Sequence, residues 1–204
     1  MPEGFINVTE GSGKKAHTWQ RTIGANTVED EYTLLGENAL ASYIVQSGQA
    51  SLATASAHLL QIMAGASLKV RIRRIEIWQQ AAITAGTLFD YQLYRLSTAG
   101  TGGTAVTPAP LDTTDSASGC TAMVIPTAKG TETTLLARVW PYMIQTLGAS
   151  TYTGNPIVVW DFDRPRSKPL IIAAGTTNGI AIKNGSSSAA GAVMITVWLD
   201  ESSF

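Results

Sequence analysis

The side chains that could do chemistry are few and far apart in this chain of 204 residues. His17 and His58 are its two histidines, and neither has a second histidine or a cysteine at metal-ligand spacing. A thiol nucleophile at Cys120, the single cysteine, would need a basic neighbour to lower its pKa. We therefore expect a surface His17, a satisfied and partly buried His58 and an inert Cys120. The sequence predicts no catalytic residue, no metal site and no cofactor.

Residues 10–15 (EGSGKK) combine glycines and lysines in the manner of a phosphate-binding loop. The pattern fails because Val8 stands at the first glycine position and Lys15 stands where a magnesium-binding Ser or Thr is required. Nucleotide binding is therefore not expected.

The densest charged segment is residues 161–169 (DFDRPRSKP). Asp161 and Asp163 could hold a divalent cation or act as an acid pair, but Arg164 and Arg166 follow them directly. This order favours a salt-bridged strand end and a proline-bounded turn, then a contact between subunits, and catalysis last.

A basic stripe made of Lys69, Arg71 and Arg73, which alternate with apolar residues, comes before Trp78 in the sequence. Such a stripe suits either nucleic acid or a protein partner. With 14 Lys and Arg against 15 Asp and Glu the net charge is −1, so no strong field attracts nucleic acid. Contact with protein through bidentate arginines is favoured, and nucleic acid is not expected as a partner.

The same stripe is the clearest predicted strand, residues 68–79. Val70 and Ile72 share one face, whereas Ile75 and Ile77 have the opposite parity. Keeping all four buried requires one extra residue, so a β-bulge is predicted at Arg73-Arg74.

Other apolar runs separated by turn residues predict about eight further strands. Residues 49–63 are ambiguous between helix and strand, with strand favoured for 59–64, and residues 97–118 are predicted as a loop. Residues 185–191 are predicted as a hairpin tip, and Pro141 places its strand at a sheet edge or at a bend. The predicted strands are 59–64, 88–96, 121–125, 133–146, 157–161, 170–173, 179–183 and 192–199.

This succession of short strands predicts an all-β fold, a jelly-roll-like antiparallel β-sandwich, as a single domain over residues 31–204. Residues 1–30 have neither helical nor strand periodicity and are predicted as an extended N-terminal arm with Trp19 among its apolar anchors.

There is no apolar run of membrane-spanning length and no signal-peptide pattern, so no membrane association and a cytoplasmic site of synthesis are expected. Charged residues make up 14% of the chain, against about 25% in ordinary soluble domains, which suits packing against neighbours.

Several segments resemble small structural proteins encoded in tailed-phage and prophage genomes: LKVRIRRIEIWQ, LYRLSTAGTGGTAVTPAPLD, TAMVIPTAKGTE and VVWDFDRPRSKPLIIAAGTTNGIAIKN. They fall between Leu68 and Leu199, about two thirds of the chain. The resemblance implies a virion component made in the host cytoplasm, a jelly-roll decoration or cement protein that binds the major capsid protein or other virion proteins. It implies no enzymatic activity.

Copies of such a protein are expected to associate, with a trimer as the first expectation. Contact residues are sought among aromatic and arginine side chains. A neck, tail or baseplate component is the alternative, and a carbohydrate- or receptor-binding β module is the second, for which Trp160, Asp161 and Asn155 are candidates. The expected contact residues are Trp19, Arg73, Arg74, Trp78, Arg164 and Arg166.

Overall fold

The computed structural model describes residues 18–23, 26–31, 40–80, 88–142, 156–163, 169–185 and 191–202, with the backbone alone for the first two ranges. These ranges contain fifteen strands and no helix. The strands are β1 (Thr18–Ile23), β2 (Asn26–Glu31), β3 (Ala41–Gln46), β4 (Ala50–Ser51), β5 (His58–Met63), β6 (Lys69–Gln79), β7 (Tyr91–Leu96), β8 (Thr104–Val106), β9 (Ala109–Pro110), β10 (Thr121–Val124), β11 (Glu132–Val139), β12 (Val158–Asp161), β13 (Leu170–Ile172), β14 (Gly179–Asn184) and β15 (Ala192–Ser202).

The chain divides into two compact units, Met1–Ala39 and Leu40–Phe204. In the first unit β1 and β2 pair antiparallel, from Thr18↔Glu31 to Ile23↔Asn26. The segment predicted as an extended arm, residues 1–30, therefore contains β1 and most of β2, which its lack of periodicity did not indicate. Its sequences, TWQRTI and NTVEDE, mix apolar and polar residues without the strict alternation that marks a half-buried strand.

The second unit consists of two antiparallel sheets packed together, which confirms the all-β sandwich. The first sheet has the order β11-β7-β14-β5-β10-β8. The second has the order β12-β6-β15-β3-β9, with β13 also on β6 and β4 also on β15. The jelly-roll connectivity stays a prediction.

Strand β6 contains the predicted bulge. Along its pairing with β15, Trp198 lies opposite Arg74 and Leu199 lies opposite Ile72, so Arg73 is the extra residue. The opposite edge of β6 changes partner at the same place, from β12 at Arg74 to β13 at Ile72. The bulge lets the apolar residues on both sides of Arg73 face inward, where each is fully buried.

The core lies between the two sheets and is made mostly of branched aliphatic side chains, with three large aromatic ones, Tyr43, Phe89 and Tyr91. Phe89 and Tyr91 stack there with ring centroids 5.9 Å apart. Val193, Ile195 and Val197 of β15 face them from the second sheet and are fully buried. Burial of each such side chain stabilises the fold by roughly 1.5–3 kcal/mol.

Several other predictions can be compared with the sheets. Strand β5 occupies most of residues 59–64, as predicted, and β11 ends before Pro141 at a sheet edge. The predicted loop 97–118 contains the short strands β8 and β9. The predicted hairpin tip at residues 185–191 lies mostly outside the described residues, and the strands on either side of it, β14 and β15, belong to different sheets.

Candidate functional site

The solvent-facing side of the second sheet carries most of the charged side chains that the sequence singled out. Its centre is β6, flanked by β15 on one side and by β12 and β13 on the other. We call this surface the arginine face. It comprises Arg71, Arg73, Arg74, Glu76, Trp78, Asp161, Asp163, Trp198 and Asp200.

Asp163 is the point where two arginines meet. Arg71 donates to its Oδ1 at 2.8 Å, and Arg73 donates to its Oδ2 through Nη2 at 2.6 Å and Nε at 3.0 Å. The hydrogen bonds from Arg73 hold the pKa of this carboxyl below its ordinary value, although partial burial opposes them. Asp163 is thus salt-bridged just past the end of β12, with partners from β6, whereas the predicted proline-bounded turn lies largely outside the described residues.

Arg74 contacts both the carboxylate of Glu76 and the indole ring of Trp198. It forms an ion pair with Glu76, which also accepts a hydrogen bond from Trp78 Nε1 at 3.1 Å. The guanidinium carbon of Arg74 lies 5.9 Å from the ring centroid of Trp198, within cation–π range. Arg74 is exposed, whereas Glu76 is buried beneath these side chains.

Asp200 lies on the neighbouring strand β15 and is 2% exposed. It accepts a hydrogen bond from Ser42 Oγ at 2.7 Å, and Arg73 Nη1 lies 3.8 Å from its Oδ1. Asp200 therefore ties β15 to β3 and bounds the arginine face on that side.

A cavity of about 540 Å³ opens on the arginine face. Trp198 and Ser42 form part of its wall. Its charged lining consists of two guanidinium groups and four carboxylates, those of Arg73, Arg74, Glu76, Asp161, Asp163 and Asp200. Such a surface presents many hydrogen-bond donors and acceptors beside two aromatic residues, Trp198 and Tyr43.

The first sheet has a charged cluster as well, which we call the covered cluster: His58, Lys129, Glu132 and Lys183. His58 is fully buried, and its Nε2 lies 3.0 Å from Glu132 Oε1. Lys183 donates to Glu132 Oε2 at 2.9 Å. His58 Nδ1 has no partner among the described residues, so the prediction of a partly buried and satisfied histidine is wrong. Burial lowers the pKa of His58, although Glu132 opposes the shift.

Cys120 is buried at the start of β10, and burial raises the pKa of its thiol to about 12. The thiol is thus protonated at neutral pH, which agrees with the expected lack of reactivity. Beside it, Glu201 of β15 accepts hydrogen bonds from the backbone amides of Gly119 and Cys120 and from Ser118 Oγ. These bonds fasten β15 of one sheet to the start of β10 in the other.

One lateral side of the sandwich is apolar. At the opposite side, the last strands of the two sheets are β8 and β9, which are neighbours because only two residues separate them in the chain. The other edges of the two sheets, β11 in the first and β12 with β13 in the second, therefore also lie at one common side. Arg95 of β7 bridges the sheets here by donating to the Ile171 carbonyl at 2.8 Å. Four large side chains on these edge strands are 36–43% exposed, and we call this edge of the sandwich the apolar side: Leu135, Leu136, Val159 and Ile171.

The expected contact residues fall into three groups. Arg73, Arg74 and Trp78 lie together on the arginine face, with Trp78 half-buried. Trp19 lies in β1 of the other unit, where only the backbone is described, and Arg164 and Arg166 lie outside the described residues.

Sequence reasoning missed Trp198 and Asp200, although the alternation of β15 placed them on the face away from Val197 and Leu199. Of the carbohydrate candidates of the sequence, Asp161 lines the cavity on the arginine face. Trp160 packs against the core, and Asn155 lies outside the described residues.

Comparisons with family models, with curated proteins and with solved structures gave no match to this chain. In the part of the chain that the structure describes, no group of three or more His, Cys, Asp or Glu side chains is placed to hold a metal ion. Over those same ranges no helix is suited to span a membrane.

Proposed function

We propose that this chain is a structural protein of a tailed-phage virion, a decoration or cement protein that binds the major capsid protein and other copies of itself. Its role is binding, without a catalytic step. The resemblance of residues 68–199 to small phage structural proteins and the low charged fraction of 14% support this assignment.

The observation that carries the assembly role is the apolar side. Leu135 and Leu136 come from β11, while Val159 and Ile171 come from β12 and β13, so the edge strands of both sheets carry exposed apolar side chains. Exposed apolar side chains on edge strands favour association, because a partner covers them and can extend the sheet through main-chain hydrogen bonds.

A capsid coat multiplies each such contact by the copy number. A protein that joins its own copies through one side and the capsid through another surface therefore strengthens the shell without a large interface at any single point. A trimer is the expected homo-oligomer, and the arginine face offers bidentate polar contacts to a protein partner.

The location is tested by quantitative mass spectrometry of purified virions that carry this gene, with the copy number expressed relative to the major capsid protein. Near parity is expected for a capsid coat. A small fraction of parity would move the protein to the neck, tail or baseplate, and its absence from virions would refute the proposal.

The assembly surface is tested by light scattering coupled to size-exclusion chromatography of the full chain. Leu135→Lys places a charge on the apolar side and is expected to convert the oligomer into monomers. Thr104→Lys, on β8 at the opposite edge of the same sheet, is the matched control and is expected to leave the oligomer intact. A wild-type monomer, or equal effects of the two variants, would remove the apolar side as the assembly surface.

A further inference from the structure

The cavity on the arginine face has the size and lining of a binding site. Its volume of about 540 Å³ lies within the usual range of small-molecule sites, roughly 300–1,000 Å³. Most of its lining side chains lie on the paired strands β3, β6, β12 and β15. From this geometry we propose that the arginine face binds a saccharide that is neutral or carries an amino group. The inference is independent of the proposed virion role.

The charged groups are already fixed in position. Asp163 is held by Arg71 and Arg73, and Arg74 is held between Glu76 and Trp198. Because these side chains are ordered before a ligand arrives, binding costs less conformational entropy than it would with free arginines and carboxylates.

Neighbouring hydroxyl groups of a sugar match these groups in chemistry. A carboxylate such as Asp161 accepts from hydroxyls, and a guanidinium such as that of Arg74 donates two parallel hydrogen bonds. The ring of Trp198 adds an apolar surface for the C–H groups on one face of a pyranose, whose positive partial charges suit the negative face of an indole.

The balance of charge separates this ligand from anionic ones. Four carboxylates and two guanidinium groups line the cavity, and Arg71 at its margin adds a third cation that is already paired with Asp163. A phosphate, sulfate or sialic acid would be repelled by the surplus of carboxylates. A neutral sugar meets no such repulsion, and an amino sugar gains an attraction.

The test is an array of neutral, amino-bearing, sialylated and sulfated oligosaccharides, probed with the full-length protein and with three variants. Trp198→Ala and Asp161→Asn are expected to weaken binding of neutral or amino-bearing glycans by about tenfold or more. Trp140→Ala is the matched control, because Trp140 is 53% exposed and follows β11 of the other sheet. It is expected to leave binding unchanged.

A second measurement guards against variants that fail to fold. The best glycan from the array is titrated into ¹⁵N-labelled wild-type protein, and the indole N–H signal of Trp198, assigned by its loss in Trp198→Phe, is expected to shift. The proposal is overturned if no glycan binds, if only sialylated or sulfated glycans bind, or if the Trp198 signal stays in place during binding.

Discussion

The two outer faces of the sandwich use the same kinds of ion pairs in different surroundings. On the arginine face the side chains of Arg73 and Arg74 are 38% and 47% exposed and line an open cavity. In the covered cluster the side chain of Lys183 is 13% exposed, and that of His58 is fully buried.

This difference in burial affects how much each ion pair stabilises the fold and whether its side chains can contact a ligand. Pairs in contact with water contribute little net stability, because water and salt screen them and a ligand can replace their partners. A covered pair cannot exchange its partner for water, so removal of one member leaves the other unsatisfied. The covered cluster should therefore stabilise the fold, whereas the arginine face remains free to bind.

Ile75→Lys should have the largest effect, because the bulge at Arg73 turns this side chain into the core, where it is fully buried. Without the bulge, strict alternation from Val70 and Ile72 would turn Ile75 toward solvent, where a lysine would be harmless. We expect a loss of about 3 kcal/mol or more in the free energy of unfolding, measured with urea.

Arg73→Ala is the control, since it changes the bulge residue and removes only its guanidinium. A loss of at most about 1 kcal/mol is expected for this partly exposed side chain. Equal losses in the two variants would contradict the importance of the bulge.

Replacement of Glu132 should have the next largest effect. Glu132→Ala removes the acceptor for Lys183 and for buried His58, and we expect a loss of about 2–3 kcal/mol in urea unfolding. Lys129→Ala removes only the 3.5 Å contact of a 42% exposed side chain, so its effect should stay below about 0.5 kcal/mol. If Lys129→Ala cost as much as Glu132→Ala, the cluster would not act through its covered members.

A fall in pH should lower the free energy of unfolding through His58 of the covered cluster. Because the pKa of His58 is lowered in the folded chain, chiefly by burial, the unfolded chain binds its proton more readily. The stability that neutral His58 contributes is complete above its pKa in the unfolded chain, about 6.5, and is lost as the pH falls below that value. Lys129 and Lys183 also face the ring and oppose the imidazolium, whereas Glu132 favours it.

Unfolding free energies measured between about pH 7.5 and about pH 5.5 test this expectation. His58→Gln should flatten the decline, and His17→Gln should not. Glu132 does not titrate in this window. Burial raises its pKa, but hydrogen bonds from Lys183 and His58 outweigh burial and the net shift is downward. An unchanged slope in His58→Gln would contradict the assignment to His58.

The smallest effect is expected on the arginine face. Asp163→Asn weakens the contacts with Arg71 and Arg73, but the side chains involved are 27–38% exposed. We expect a change below about 1 kcal/mol in the same urea measurement. A loss as large as that of Glu132→Ala would mean that both faces are structural and would end the contrast between them.

The sequence predicted those parts of the fold that depend on neighbours along the chain. Alternation located β6 and β15, and the change of parity located the bulge at Arg73. It failed for β1 and β2, whose residues do not alternate between a buried and a wet face. Pro141 correctly indicated a strand at a sheet edge.

The candidate site was predicted only in part, since Arg73, Arg74 and Trp78 share one strand while their partners come from elsewhere. Asp163 pairs with arginines about ninety residues earlier in the chain. Composition and alternation determined the all-β class, the strands and the bulge, because these follow from local burial. The tertiary structure alone decided which strands are neighbours, and therefore which charges pair, which are covered and which line a cavity.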